Sequence, residues 1–338
     1  MLASRLPTGF AIALALAPLA LRAQGIDLTS HDVGIAIGDK PRVVGLRINY
    51  RDRNLREVRG ANVTIWTPYE PATGDVYGLA LGLPATGAKN IRGLGVGILG
   101  FGTSQSMKGI GIGGLGVGGG GDIEGITLGG VGVGSGERLR GIQIGGIGVG
   151  SGGSVTGLSV GGVGVGGGSA MRGIQIGGIG VGSGASVTGL SIGGIGVGSA
   201  GDVRGISIGG VGVGAGGDMT GLSIGGIGVG GGGRVRGLSI GGVGVGAPRL
   251  EGVVLSGVAS GGQFVHAIVF STAYFKVDSS GRFDGGSLSA VNNVSGSQHG
   301  LTIGLWNYAR DVHGAQIGLV NISDNDGRRR ILPLISVR

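Results

Sequence analysis

Apolar residues and glycines recur along this chain in a fixed order, as in the stretch GIQIGGIGVGSGGSVT from the middle of the sequence. Ile142 and Ile144 lie two residues apart, which is the spacing of side chains on one face of a β-strand. Ile147 and Val149 have the same spacing, but Gly145–Gly146 puts the two pairs out of phase. A corner at these glycines, which reach positive φ freely, would turn both pairs toward one interior. The pattern therefore predicts two short strands per unit, with both pairs facing inward.

The unit has a strict period of sixteen residues. Its first glycine recurs at Gly93, Gly109, Gly125, Gly141, Gly157, Gly173, Gly189, Gly205, Gly221 and Gly237. Looser copies extend upstream to Gly45 and downstream to Gly314, which makes eighteen units. Val155, after a small-residue turn, is also expected to face inward. A lone coil buries too few apolar side chains to offset the entropy of ordering it, so neighbouring coils must stack.

These features predict an all-β protein built as a parallel β-solenoid, a β-helix-like rod of about eighteen coils with a 16-residue period. The predicted divisions are an N-terminal cap over 24–44, the solenoid over 45–321 and a C-terminal cap over 322–338. The alternative is an outer-membrane antiparallel β-barrel in which each unit is one strand. The low aromatic content of 4% and the interrupted alternation at each glycine pair favour the solenoid.

The residue before the first glycine of each unit has a pattern of its own. From Arg140 onward it alternates between arginine and threonine. A parallel stack explains this because arginines on adjacent coils, ~4.8 Å apart, would repel one another. An antiparallel arrangement, with inequivalent up and down strands, also gives a two-unit period. Lys108, Glu124 and Arg140 alternate in sign at this position, which favours neighbouring coils of a parallel stack.

Composition narrows the class of protein. The chain has 89 glycines among 338 residues, but its mean hydropathy of +0.40 argues against disorder. It contains no cysteine, which excludes disulfides and thiolate metal sites. The formal charge of +8 is modest for a dedicated nucleic-acid binder. Residues 1–23, with Arg5 ahead of an apolar run and Ala23 at the end, are predicted to be a secretory signal peptide.

The last units read HGLTIGLWNYARDVHGAQIGLVN and are followed by LPL. They resemble a bacterial surface-repeat family built from G-x-Q-I-G-L-x-N units, and the GGIGVG array before them resembles a subset of that family. The resemblance covers most of the chain after about Gly45. It implies an exported protein of the cell envelope, at the outer membrane surface or outside the cell, and it implies no catalytic residues. The central array departs from the family by having glycine where the asparagine stands.

Three asparagines of the last units hold equivalent places. Asn292, Asn307 and Asn321 stand seven residues after the first glycine of their units, where the array has Gly148. Asparagine and glycine both tolerate left-handed backbone conformations, and stacked asparagines form amide ladders. We therefore predict a structural asparagine ladder and not a ligand site.

Few residues are candidates for chemistry. His299 and His313 share a coil position, with Asp311 nearby. Stacked imidazoles and a carboxylate are metal ligands, but simple repetition favours a solvent-facing ladder. The glycine-rich strings lack the lysine and the helix of a phosphate-binding loop. The sequence thus predicts no catalytic residue, no metal site and no cofactor, and the protein is expected not to be an enzyme.

Basic residues form the remaining candidate site. One column holds Arg92, Lys108, Arg140, Arg172, Arg204 and Arg236. Along a rigid rod, such a column would bind a linear polyanion through several weak contacts, while a solubilising face is the simpler interpretation.

The sequence predicts a non-enzymatic, exported cell-envelope or surface protein with a structural or adhesive role. Its partners would be an anionic envelope polysaccharide or another surface protein and not nucleic acid; the alternative is a pore-like outer-membrane protein.

Overall fold

A computed structural model describes residues 25–69 and 72–338 of the chain. They form an all-β parallel β-solenoid of about 17 turns with a 16-residue period. The predicted signal peptide at 1–23 lies outside the described residues. Among the residues that are described, no helix has the length and apolar character needed to cross a membrane.

Each turn of the central array contributes one long and one short strand. The N-terminal strands are β1 (Ile26–Ser30), β2 (Val33–Ile37), β3 (Arg42–Asn49), β4 (Glu57–Thr64), β5 (Asp75–Gly82), β6 (Ala85–Gly97) and β7 (Gly100–Gly113). The array comprises β8 (Gly116–Gly119), β9 (Asp122–Gly129), β10 (Gly132–Ser135), β11 (Leu139–Gly145), β12 (Gly148–Ser151), β13 (Val155–Gly161), β14 (Gly164–Gly167), β15 (Met171–Gly177), β16 (Gly180–Ser183), β17 (Val187–Gly193), β18 (Gly196–Ser199), β19 (Val203–Gly209), β20 (Gly212–Ala215), β21 (Met219–Gly225), β22 (Gly228–Gly231), β23 (Arg234–Gly241) and β24 (Gly244–Gly246). The C-terminal part has β25 (Arg249–Ser256), β26 (Ala259–Ser271), β27 (Tyr274–Leu288), β28 (Val291–Ile303), β29 (Trp306–Ser323), a 3₁₀ helix (Asn325–Gly327) and β30 (Arg330–Val337).

The strands β11 and β12 show how one turn is built. Leu139 and Gln143 of β11 face the interior and are fully buried. The chain turns a corner at 146–147, and Val149 then faces inward from β12. The core of a turn therefore lies between an apolar and a polar side chain of the long strand and one valine of the short strand.

Successive turns pair in parallel and in register. Leu139 of β11 lies opposite Val155 of β13, and the short strands repeat this with Val149 opposite Val165. The antiparallel alternative requires neighbouring units to run in opposite directions, so it is wrong. The register also explains the strict period, because a slip by one residue would exchange the inward and outward faces of a strand.

The prediction that all the large apolar residues of a unit face inward is wrong in part. Val149 and Val155 are 2% and 0% exposed, as predicted. Ile142, Ile144 and Ile147 face outward instead, with exposed fractions of 37%, 41% and 54%. The valines and leucines of the core are thus a minority of the aliphatic residues in the repeat.

The corner of the coil explains why these isoleucines face outward. Gly145 faces the interior, and a Cβ placed on it would lie only 2.1 Å from the carbonyl oxygen of Gly148. Backbone therefore fills the interior next to the corner, and the inward position there accepts glycine and not a large side chain. Ile144, the neighbour of Gly145, points to the other face because side chains alternate along a strand.

Antiparallel strands close both ends of the rod. At the N-terminus, β1 and β2 form a hairpin, and β2 begins the parallel stack on β3. At the C-terminus, β30 runs antiparallel on β29 over Ala315–Ser323. The unit that starts at Gly314 therefore ends in a cap, because its strand pairs in parallel with β28 on one side and antiparallel with β30 on the other.

A charged side chain is buried at the N-terminal end of the interior. The guanidinium of Arg47 is fully buried, contacts the buried carboxylate of Asp52 and donates to Oδ1 of Asn62 at 3.0 Å. Its Nη2 donates to Asp39 at 2.9 Å and its Nε to the carbonyl oxygen of Lys40 at 2.8 Å. All its donor nitrogens thus have partners, which a buried charge requires.

Candidate binding surface

The largest feature of the surface is an exposed apolar side that follows the rod axis. The register stacks Ile142 on Leu158 and Ile144 on Val160, so each outward position becomes a column. A third column runs along the corner, where the amide of Val163 donates to the carbonyl oxygen of Ile147. We call these three columns of outward aliphatic residues, named after Ile142, Ile144 and Ile147, the apolar face.

The Ile144 column shows how consistently this face is apolar, because each member is isoleucine, valine, leucine or phenylalanine. Within the parallel stack it consists of Ile37, Ile48, Val63, Leu81, Val96, Ile112, Leu128, Ile144, Val160, Ile176, Ile192, Ile208, Ile224, Ile240, Leu255, Phe270, Leu288, Ile303 and Ile317.

Both caps continue the apolar face although they reverse the strand direction. In β1, Ile26 lies opposite Ile37, at the end of the Ile144 column. In β30, Ile335 lies opposite Ile317 at the other end. Both cap residues are exposed. The caps do not share the 16-residue repeat, so the apolar character of this face is not a mere by-product of repetition.

Toward the C-terminus the apolar face deepens into a groove of about 1170 Å³. One wall is the Ile144 column from Ile240 to Ile317, with Phe270 and Leu288 as its largest members on neighbouring turns. The floor consists of small corner residues such as Gly257 and Ala290. Neither the face nor the groove was predicted from the sequence, because these aliphatic residues were expected to lie inside the coil.

The predicted basic column lies beside the apolar face. Arg140 pairs with Thr156, and Thr156 with Arg172, so the residues of this column do stack on successive turns. All six basic members are exposed. Because Arg140 precedes Ile142 by two residues on the same strand, the charges form one edge of the apolar face.

Several members of the basic column have acidic neighbours. Lys108 lies 3.1 Å from Glu124 on the next turn, Arg204 lies 2.6 Å from Asp202, and Arg236 lies 3.7 Å from Glu251. Arg140 and Arg172 have no ion pair among the described residues. Exposed pairs of this kind contribute about 0–1 kcal/mol each, so they leave the column available to an external anion.

The structure contains an amide ladder at the three predicted asparagines. Nδ2 of Asn292 donates to Oδ1 of Asn307 at 2.7 Å, and Nδ2 of Asn307 donates to Oδ1 of Asn321 at 2.8 Å. All three side chains are buried, and Nδ2 of Asn307 also donates to the carbonyl oxygen of Ile317. The ladder thus holds together the last turns of the interior.

The ladder occupies a different column from the one predicted. It is in register with Phe275, Ser260 and Val245, which continue the inward column of Val149 and not that of Gly148. The reason is a shorter corner. Three residues separate Phe270 from Tyr274, whereas only two separate Leu288 from Val291. A residue seven places after the first glycine therefore takes the inward position that Val149 holds eight places after its own.

The two histidines that share a coil position stack on each other. The rings of His299 and His313 lie 4.8 Å apart and nearly parallel, and Nδ1 of His299 lies 3.8 Å from the carboxylate of Asp284. Asp311 lies 3.9 Å from Nε of Arg310. Over 25–69 and 72–338 no group of three or more histidine, aspartate or glutamate side chains is placed to hold a metal ion.

Comparison with known proteins adds no family to this picture. No family model matches the sequence, and no curated protein and no solved structure matches it either.

Proposed function

We propose that this protein is a non-enzymatic repeat protein of the cell envelope with a structural or adhesive role. The observation that supports the proposal best is the apolar face. Monomeric soluble proteins rarely expose a contiguous apolar patch of more than about 300–600 Å², and larger patches mark contacts with another surface. The polar groups of the surface are arranged in columns along the rod and do not converge on the groove, which is lined by apolar and small residues.

Export is the first requirement of this proposal. We expect the tagged full chain, expressed in a bacterium with an outer membrane, to be recovered in the envelope or extracellular fraction. A variant that lacks 2–23 should stay in the cytoplasm, because it has lost the apolar run that directs secretion. Cell fractionation with surface protease treatment measures both, and recovery of the full chain in the cytoplasm would contradict the proposal.

The basic column supports a further contact, with an anionic envelope polysaccharide. From Arg140 on, arginines recur on every second turn, roughly 9.6 Å apart at the usual strand spacing. Replacing Arg140, Arg172, Arg204 and Arg236 by glutamine should weaken binding to the polysaccharide by about tenfold or more at low salt. Binding by the parent should also fall as salt is raised.

A matched control uses the same column. Thr156, Thr188 and Thr220 lie on the intervening turns, and their replacement by glutamine adds the same side chain without removing charge. The control should bind as the parent does. Equal binding by the arginine variant, or no binding by the parent, would mean that the column serves only solubility.

A further inference from the structure

We propose that the apolar face lies on a lipid bilayer, with the basic column at the level of anionic headgroups. This inference rests on the proposed envelope function and names the surface that the protein contacts there. Four observations support it: the size of the apolar face, the lack of a unique register between two such faces, the groove, and the position of the basic column.

The apolar face is long and continues round the corner of the coil at 146–147. It runs from Ile26 in β1 to Ile335 in β30, over the whole stack. With strands ~4.8 Å apart and five residue steps from the Ile142 column to the Ile147 column, it is roughly 95 Å long and about 17 Å across as measured along the chain, on the order of 1,500 Å². This is several times the largest apolar patch of a typical monomer, about 300–600 Å², so the face is covered when the protein functions.

A fluid partner suits this face better than a second copy of the chain. Each turn repeats the same outward residues, so two copies packed through this face would fit equally well after a slip of one turn. Specific interfaces require a defined register, which hydrocarbon does not need. Trp, Tyr and Arg, which dominate protein–protein hot spots, are lacking from all three columns of the face between β8 and β24.

The groove adds a second, independent reason. It is lined by apolar and small residues and runs along about five turns, or ~24 Å. A second copy of the same rod, packed through the same face, would leave it unfilled. One leaflet of a bilayer core is about 15 Å thick, so a fluid acyl chain of that length that bends along the rod is short enough to lie in the groove between the Ile144 column and the corner.

The arginines of the basic column lie where the anionic headgroups of a membrane would contact them. Arg140 and Arg172 lie at the edge of the apolar face, two residues before Ile142 and Ile174 on their strands. Arginine stems lie along apolar surface while their guanidinium groups reach phosphate level. An apolar face edged by arginine is the pattern of proteins that lie in the membrane interface and prefer anionic lipids.

Vesicle sedimentation of the purified chain tests the inference. Vesicles of phosphatidylcholine mixed with phosphatidylglycerol are expected to bind the parent more tightly than phosphatidylcholine alone. Replacing Ile147, Ile179, Ile195 and Ile227 by threonine should lower binding to the mixed vesicles by about tenfold or more, because each exposed side chain loses apolar area. Parent and variants keep the same N-terminus, so a difference belongs to the face.

A matched control adds threonine to the neighbouring side. A Cβ at Gly134, Gly150, Gly182 or Gly198 meets no atom within 4 Å, so these positions have room for a side chain, and threonine there should leave vesicle binding unchanged. Circular dichroism checks that each variant folds. The parent measurement stands alone as well, since a parent that binds neither vesicle overturns the inference whatever the variants do.

Two other outcomes would also overturn it. If light scattering shows that the parent is a dimer which the threonine variant dissociates, a second copy covers the face. If the threonine variant keeps its vesicle binding, the face is not the contact. If the protein is recovered in the envelope but binds no vesicle, only the lipid inference is contradicted. If it is recovered in the cytoplasm, the proposed function itself is contradicted.

Discussion

Replacing Gly141 by alanine is expected to lower the free energy of unfolding by about 3–5 kcal/mol. Gly141 has φ +114°, a region that residues with a Cβ rarely adopt. An added Cβ would also lie 2.2 Å from the carbonyl oxygen of Gly125 on the preceding turn. Backbone strain and a clash with backbone therefore act together, and neither is relieved by moving a flexible side chain. Urea denaturation followed by circular dichroism measures the change.

Gly150 provides the matched control for this substitution. A Cβ there meets no atom within 4 Å, and its φ is not in the left-handed region. Gly150→Ala should leave the stability unchanged or raise it by up to about 1 kcal/mol, since alanine reduces the entropy of the unfolded chain. Equal losses in the two variants would show that the backbone conformation at Gly141 and its close approach to Gly125 are not the constraint.

Replacing Arg47 by methionine should destabilise the N-terminal end by about 3–5 kcal/mol. The substitution leaves the carboxylate of Asp52, which is 2% exposed, without its cation in a buried site. The amides of Asn49 and Asn62 still donate to that carboxylate, at 2.7 Å and 3.4 Å, but they carry no charge. Urea denaturation, together with hydrogen exchange of β3 and β4, measures the effect and its location.

The double variant Arg47→Met, Asp52→Leu separates charge from packing. It removes both charges, and apolar replacements of a buried ion pair are often neutral or stabilising. It should therefore be more stable than Arg47→Met alone. A double variant that is less stable than either single variant would show that the pair contributes net stability through its hydrogen bonds.

The sequence was sufficient to predict the solenoid but not the direction of its side chains. The period, the parallel stack and the inward valines follow from spacing and from the need of each coil for neighbours. The outward position of Ile142 and Ile144 does not follow. Large aliphatic residues are expected in the core, with polar or small residues at the surface, and this protein departs from that expectation. A Cβ on Gly145 would lie 2.1 Å from the carbonyl oxygen of Gly148. This contact decides the direction of the side chains, and it is visible only in the structure.

The candidate binding surface could likewise be predicted from the sequence only in part. The basic column could be predicted because residues one period apart stack in any parallel solenoid. The amide ladder was also predictable from sequence, but its column was not, since the corner before Val291 is one residue shorter than the corner before Tyr274. Arg47 was missed because its partners come from loops and from the next strand, with no sequence pattern that links them.

The uniform register of the central turns has a consequence for inheritance. A turn of the array contacts only its two neighbours, and the caps contact only the ends. Unequal recombination between repeats that adds or removes two units would preserve each contact and the alternation of arginine with threonine. Duplication or deletion of two units would therefore lengthen or shorten the rod by about 9.6 Å, at ~4.8 Å per turn, while the two ends stay the same.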